Sequence, residues 1–185
     1  MKPGFLLVLL LILSSCASTA VEMSDLAKAS CNLHEKVSLV VSNYKKLRFV
    51  TTGIYRSDDG TIKTLTYRFQ INQPLTLEEA RILIIELAEK ILKAVNTDTF
   101  SRPWLTTFPF NYDSLDVGVY IHDHDGDFLN HPDLCLVKIV KKNINYITQK
   151  SGFIPKSIET TEEPFEEVYL KVKGKKFDIM DYLRG

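Results

Sequence analysis

The sequence predicts an α+β fold in which an antiparallel sheet, made of a hairpin and a meander, carries helices mainly on one face. Residues 48–56 and 61–71 are rich in Thr, Ile, Tyr, Phe and Val, and the Asp59-Gly60 pair between them is typical of a tight hairpin turn. Residues 77–96 repeat apolar side chains at helical spacing. Further strand-like segments then follow at short intervals, which favours neighbouring antiparallel strands.

Two amphipathic helices are predicted in the first half of the chain. The first spans about 25–47, with Ser24 or Asp25 as its N-cap. Its apolar stripe consists of Leu26, Leu33, Val37, Val40, Tyr44 and Leu47. The second spans about 77–96, where Thr76 and Glu79 match the capping box. Its apolar face packs on the hairpin in this prediction.

The last third of the chain predicts a meander followed by a short helix. Strand patterns occupy 115–121, 134–140 and 144–149, with a further short strand near Ile158. Thr161, Pro164 and the acidic residues around them indicate a helix start, which gives a helix over about 163–172. No element is predicted for residues 173–185.

The N-terminus has the pattern of an export signal. Lys2 precedes an uncharged apolar run over residues 5–13, which as a helix is about 14 Å long and too short to cross ~30 Å of hydrocarbon. The run ends in Leu13-Ser14-Ser15-Cys16, which resembles the lipobox of bacterial lipoproteins. This resemblance implies cleavage before Cys16, a diacylglyceryl group on its sulfur and usually an acylated amino group. Ala17 differs from the aspartate of inner-membrane retention signals, so an outer-membrane destination is favoured in a host with two membranes.

The domain organisation follows from these boundaries. Residues 1–15 form the cleaved signal, 16–22 the lipidated cysteine and a tether, and 23–185 a single α+β domain. Cleavage removes Lys2, so the 23 basic residues become 22 against 23 acidic residues, and the formal charge becomes −1. This balance gives no basis for nucleic-acid binding.

Two cysteines remain beyond Cys16, and their pairing is left open. An exported domain permits a disulfide between Cys31 and Cys135. The helical stripe places Cys31 on the side opposite the apolar residues, which argues against that bond.

A cluster of histidines and aspartates suggests a divalent metal site. The residues are His122, Asp123, His124, Asp125, Asp127 and His131, with Asp133 nearby. Imidazole and carboxylate ligands suit calcium, zinc or nickel, and the sequence does not choose among them. The spacing departs from an EF-hand because Gly126 comes two positions early. The alternative is a polar turn at Asp125-Gly126 between two strands.

A second candidate surface is the aromatic segment that follows the second helix. It contains Trp104, Phe108, Phe110 and Tyr112 together with Pro103 and Pro109. Exposed rings of this kind bind sugars or peptides, whereas buried ones close the edge of a core. The sequence favours the second interpretation, because the domain has a single tryptophan to place.

The functional hypothesis is therefore a membrane-anchored envelope lipoprotein with a binding or structural domain. Its partner is expected to be an envelope protein, peptidoglycan or a small ligand, and the only expected covalent group is the lipid on Cys16. The competing hypothesis is a metal-dependent hydrolase that uses the 122–133 loop. The sequence contains neither a Gly-x-Ser-x-Gly motif nor a phosphate-binding glycine loop.

Overall fold

The computed structural model describes residues 24–42, 44–150 and 158–183, and within them six strands form one sheet. The strands are β1 (Arg48–Arg56), β2 (Ile62–Asn72), β3 (Leu115–His122), β4 (Leu136–Val140), β5 (Asn143–Gln149) and β6 (Ile158–Pro164). The helices are α1 (Asp25–Val41), α2 (Leu77–Asn96) and α3 (Phe165–Lys173). The sheet order is β1-β2-β3-β4-β5-β6. The α+β prediction is confirmed.

One pair of neighbouring strands departs from the predicted antiparallel pattern. β2 and β3 are parallel, whereas the other neighbouring pairs are antiparallel. The reason is α2, because its 20 residues carry the chain about 30 Å back along the sheet before β3 begins. As a result, β2 and β3 end side by side at the same edge, with Asn72 opposite His122.

The helices cover one face of the sheet. Along β2, Leu65, Tyr67 and Phe69 are buried, while the alternating Thr66 and Arg68 are only partly covered. The described core contains residues from all three helices and from β2 through β5. A fragment spanning residues 21–185 therefore contains every described helix, strand and core residue.

Helix α1 is shorter than predicted. It ends at Val41 rather than near residue 47, because Lys45 and Lys46 adopt φ angles of 47° and 58°, which no right-handed helix contains. The predicted stripe is also wrong at one position. Val41 is buried against the core, whereas Val40 is 42% exposed.

The predicted local signals for α2 and the hairpin are confirmed. Thr76 and Glu79 form both hydrogen bonds of a capping box at the start of α2. Gly60 has a φ of 85°, and the Ser57 N–H donates to the Thr61 carbonyl at 2.9 Å across the turn.

The C-terminal segment, for which no structure was predicted, packs on α3. Phe177 lies within a cluster of rings, 5.0 Å from the centroid of Tyr112 and 5.2 Å from that of Tyr169. A short 3-10 helix at Ile179–Tyr182 follows. The Tyr182 hydroxyl then donates to Glu89 of α2 at 2.9 Å.

Candidate functional site

The predicted histidine and aspartate cluster is dispersed in the structure. His122 is buried at the end of β3, where its Nδ1 lies 2.7 Å from the Gly126 carbonyl oxygen. His131 lies elsewhere, 3.4 Å from the Glu159 carboxylate and 3.3 Å from the Thr148 hydroxyl. His124 is exposed near the end of β2.

The aspartates of this loop shape its backbone. Asp123 Oδ1 accepts hydrogen bonds from the backbone N–H groups of Asp125 and Asp127, at 3.0 and 2.9 Å. Gly126 takes a φ of 92° at the tip, as the turn interpretation expects. Among the residues that the structure describes, no three His, Cys, Asp or Glu side chains are arranged to hold a metal ion. The geometry therefore gives the hydrolase hypothesis no specific support.

The aromatic segment divides into buried and exposed rings. Phe110 and Tyr112 belong to the core, and Trp104 packs partly against it. Phe108 remains 41% exposed, with the Arg102 guanidinium 4.2 Å from its ring centroid. Two of the four rings close the core and Trp104 is partly covered, so Phe108 is the most exposed of the four predicted binding residues.

Both cysteines in the described part of the chain are free thiols. Cys31 is exposed on α1, on the side that the helical stripe predicts, and Cys135 is buried. Burial raises the pKa of the Cys135 thiol above its usual value.

His34 of α1 is partly buried. Its Nδ1 lies 2.8 Å from the Thr52 hydroxyl and 3.3 Å from the Tyr67 hydroxyl, between α1 and the first two strands. Burial lowers the pKa of His34, which favours its neutral form. We interpret the cluster as a packing contact, because Thr52 also donates to the Thr66 carbonyl at 3.0 Å.

A cavity of about 320 Å³ lies where β2 ends and α2 begins. We call it the apolar pocket, because its walls are mostly apolar side chains of β2, of the following loop and of α2. Its lining consists of Lys45, Lys46, Ile71, Gln73, Leu75, Glu79, Ile82 and Leu83. Its volume falls at the lower end of the ~300–1,000 Å³ range of small-molecule sites.

A smaller cavity of about 190 Å³ adjoins the apolar pocket. We call it the cationic pocket. The two cavities share Lys46, Ile71 and Gln73, and Arg48, Asn72 and His124 complete the second. Together they form the bipartite site. It lies at the carboxyl ends of the parallel strands, the edge at which open sheets with a strand-helix-strand crossover commonly bind ligands.

The charges of the bipartite site are unevenly distributed. Lys45 is paired with Glu86, at 2.8 Å. Neither Lys46 nor Arg48 forms an ion pair within residues 24–42, 44–150 and 158–183. Within this part of the chain, the site therefore presents two cationic side chains without a protein counter-ion.

Glu79 carries a negative charge in the apolar pocket. Its carboxylate accepts from the backbone N–H and the hydroxyl of Thr76, both at 2.8 Å. These two hydrogen bonds hold the pKa of Glu79 below its usual range. The negative charge is therefore fixed at the N-terminus of α2, where it also complements the helix dipole.

The turn that carries Lys45 and Lys46 is conformationally unusual. Two consecutive non-glycine residues with positive φ are costly, and such strain persists where surrounding contacts hold it. Here Tyr44 supplies contacts, because its hydroxyl bonds to Glu86 and the Lys90 ammonium lies 4.8 Å from its ring centroid. Lys45 and Lys46 of this turn both line the apolar pocket.

The bipartite site is not apparent from the sequence. The basic residues at 45, 46 and 48 are visible in the sequence, but Lys45 and Lys46 fell within the first predicted helix, which in the structure ends at Val41. The pocket forms because four segments, near residues 46, 72, 82 and 124, meet at one edge of the sheet. That meeting depends on the parallel pairing of β2 and β3, which the strand patterns do not reveal.

Comparison with protein-family models, with curated proteins and with solved structures gives no match to this chain. Of the helices in the described residues, none is both long enough and apolar enough to cross a bilayer. Fold and site together define an α+β domain with a bipartite apolar and cationic pocket at the end of a parallel strand pair.

Proposed function

We propose that this chain is an exported lipoprotein, held at a membrane by lipid on Cys16, whose α+β domain binds a small ligand in the bipartite site. The observation that carries the binding role is the site itself, an apolar cavity adjoined by cationic side chains that have no ion pair in the described residues. Concave apolar sites with a few polar groups at one end are the usual form of ligand sites in proteins.

The anchoring role is supported by the sequence. The signal at residues 1–15 and the lipobox residue Cys16 lie outside the described residues, so both stay predictions. Residues 17–22 reach at most about 20 Å when extended, which keeps the domain close to its membrane. Ala17 favours the outer membrane in a host with two membranes.

The anchor is tested by replacing the lipidated cysteine. Cys16→Ala is expected to block lipid attachment, to change the apparent mass and to release the protein from the membrane fraction. Cys31→Ala is the matched control, since it removes an exposed thiol that has no role in anchoring. If both variants fractionate like the wild type, the lipoprotein proposal is wrong.

The binding role is tested on the protein purified from its native membrane. Native mass spectrometry is expected to show a fraction of molecules with an added small-molecule mass. Ile82→Asn, which places a polar group in the apolar pocket, is expected to remove that mass. Leu170→Asn, an apolar to polar change at an exposed position on α3, is expected to retain it. Equal occupancy in the two variants would place the ligand elsewhere.

A further inference from the structure

We propose that the bipartite site takes a small amphiphile with one anionic head group, a phosphate or a carboxylate, on a single apolar chain. This inference rests on the proposed binding function and adds the chemical class of the ligand. In it the apolar chain occupies the apolar pocket and the head group meets Lys46 and Arg48.

The orientation follows from the arrangement of side chains. Ile82 and Leu83 of α2 and Ile71 of β2 line the apolar pocket, and burying an apolar chain there removes its surface from water. The fixed carboxylate of Glu79 also lines that pocket, which disfavours an anionic group on its side. The anionic group is therefore expected in the cationic pocket.

The cationic pocket suits an anion with several oxygen atoms. Lys46 and Arg48 supply charged donors, and the amide side chains of Asn72 and Gln73 offer neutral ones. No acidic residue from the described part of the chain lines this pocket. Lys46 and Arg48 are exposed, so a bound anion would gain charge-assisted hydrogen bonds without displacing any counter-ion from the described residues.

The loop after β3 completes the cationic pocket through His124. Gly126 at its tip lies so close to β2 that an added Cβ would stand 3.4 Å from the Asn72 side-chain nitrogen. The loop is held beside the ends of β2 and β3 by His122, whose Nδ1 lies 2.7 Å from the Gly126 carbonyl oxygen. His124, one of the histidines of the predicted metal site, thus contributes its imidazole to the proposed anion site.

The first experiment measures binding of decyl phosphate to residues 21–185 by isothermal titration calorimetry, below the micelle concentration and at low salt. Three probes separate the contributions. Decanol and decyltrimethylammonium keep the chain and change the head group, and inorganic phosphate keeps the head group alone. Decyl phosphate is expected to bind at least tenfold more tightly than each of the three, and added salt is expected to weaken it.

The variants have close structural matches in the same chain. Lys46→Gln combined with Arg48→Gln is expected to weaken decyl phosphate binding roughly tenfold or more, because two charge-assisted contacts are lost. Lys141→Gln combined with Arg56→Gln is the control. Lys141 is likewise an exposed lysine at positive φ in a two-lysine turn, and Arg56 is the exposed arginine at the other end of β1. The control pair is expected to bind as the wild type does.

Each failure has a separate meaning. Decanol or decyltrimethylammonium could bind as tightly as decyl phosphate or more tightly, with binding that Ile82→Asn abolishes. The ligand would then not be an anion, although the site would still be a binding site. Equal binding of inorganic phosphate would overturn the role of the apolar chain. No binding of any probe, together with no bound mass on the native protein, would overturn both the ligand class and the binding function.

The source of the head group is tested with vesicles. Sedimentation of the same fragment with phosphatidylcholine vesicles that contain lysophosphatidylglycerol, an anionic lipid with a single chain, but not with phosphatidylcholine alone, indicates that the head group belongs to a membrane lipid. If such sedimentation occurs without any binding of monomeric decyl phosphate, the protein contacts the bilayer surface, and the proposed pocket ligand is wrong.

Discussion

At the scale of single residues, Asp98 is the charge on which the junction between α1 and α2 depends. Its buried carboxylate accepts from Lys36 Nζ, Asn32 Nδ2 and the Ser101 backbone N–H, each at 2.9 Å. Burial alone raises the pKa of a carboxyl, but the hydrogen bonds from Ser101 and Lys36 outweigh it, and the pKa of Asp98 is lowered.

Replacing Asp98 is therefore expected to be costly. Asp98→Ala leaves the buried Ser101 N–H and the partly buried Asn32 amide without their acceptor, while the 40% exposed Lys36 can turn to water, so the free energy of unfolding should fall by about 2 kcal/mol. Asp58→Ala, the same change in the exposed hairpin turn, should stay within about 0.5 kcal/mol of the wild type. Urea unfolding measures both values. A similar small effect in the two variants would contradict this role of Asp98.

Sequence patterns predicted some of these residue roles and missed others for a physical reason. Thr76 and Glu79 are three residues apart, so the local chain alone brings the capping box together. Asp98 meets Lys36 and Asn32 across separations of 62 and 66 residues. Such partners depend on how helices pack, and a single sequence without known structure does not specify that packing.

At the scale of whole elements, Asn96 attaches the aromatic segment to the end of α2. Its side-chain amide donates to the Phe110 carbonyl and its side-chain carbonyl accepts from the Phe110 N–H, both at 2.8 Å. These two hydrogen bonds resemble those between paired residues of neighbouring strands, and they satisfy both backbone groups of buried Phe110. This anchorage explains why Phe110 lies in the core while Phe108 stays exposed.

Removing that amide should loosen the segment as a unit. Asn96→Ala leaves the Phe110 backbone groups unpaired in a buried place, and we expect a loss of about 2 to 3 kcal/mol in the free energy of unfolding. Hydrogen exchange should rise across residues 100–112 before the sheet exchanges. Asn130→Ala, at an exposed loop position, provides the control. Uniform exchange over the whole chain would contradict a local anchorage.

Some helices and strands could be predicted from the sequence more accurately than others. The period of the apolar residues defined α2, because 20 residues give it more than five turns. The same period did not predict the buried residue at the end of α1. Val40 and Val41 are both apolar there, and only packing decides which one is buried. The sequence also gave no sign of the parallel pairing between β2 and β3, since a strand pattern shows its buried face but not its neighbour.

At the scale of the whole molecule, Glu163 joins three elements. It lies on β6 and accepts two hydrogen bonds from Arg81 of α2, both at 2.9 Å, and one from Lys171 of α3 at 2.8 Å. Arg81 and Lys171 lower the pKa of Glu163 from an ordinary value of 4.5 to about 2, and the bonds from Arg81 contribute most. A folded-state pKa below the unfolded one means that the folded state favours the ionised carboxylate.

The sign of the pH effect follows from that shift. The stabilisation by Glu163 is fully present above pH 4.5 and is lost as the pH falls through about 2. The wild type should therefore lose stability over this range more steeply than Glu163→Gln, so the difference between their unfolding free energies shrinks in acid. At neutral pH we expect the variant to be less stable by about 2 kcal/mol, because partly buried Arg81 loses its charged partner.

Urea unfolding at several pH values checks this, with exposed Glu167→Gln as the control whose curve should run parallel to the wild type. Parallel curves for Glu163→Gln as well would mean that the ion pair of Arg81 and Glu163 does not contribute to acid stability.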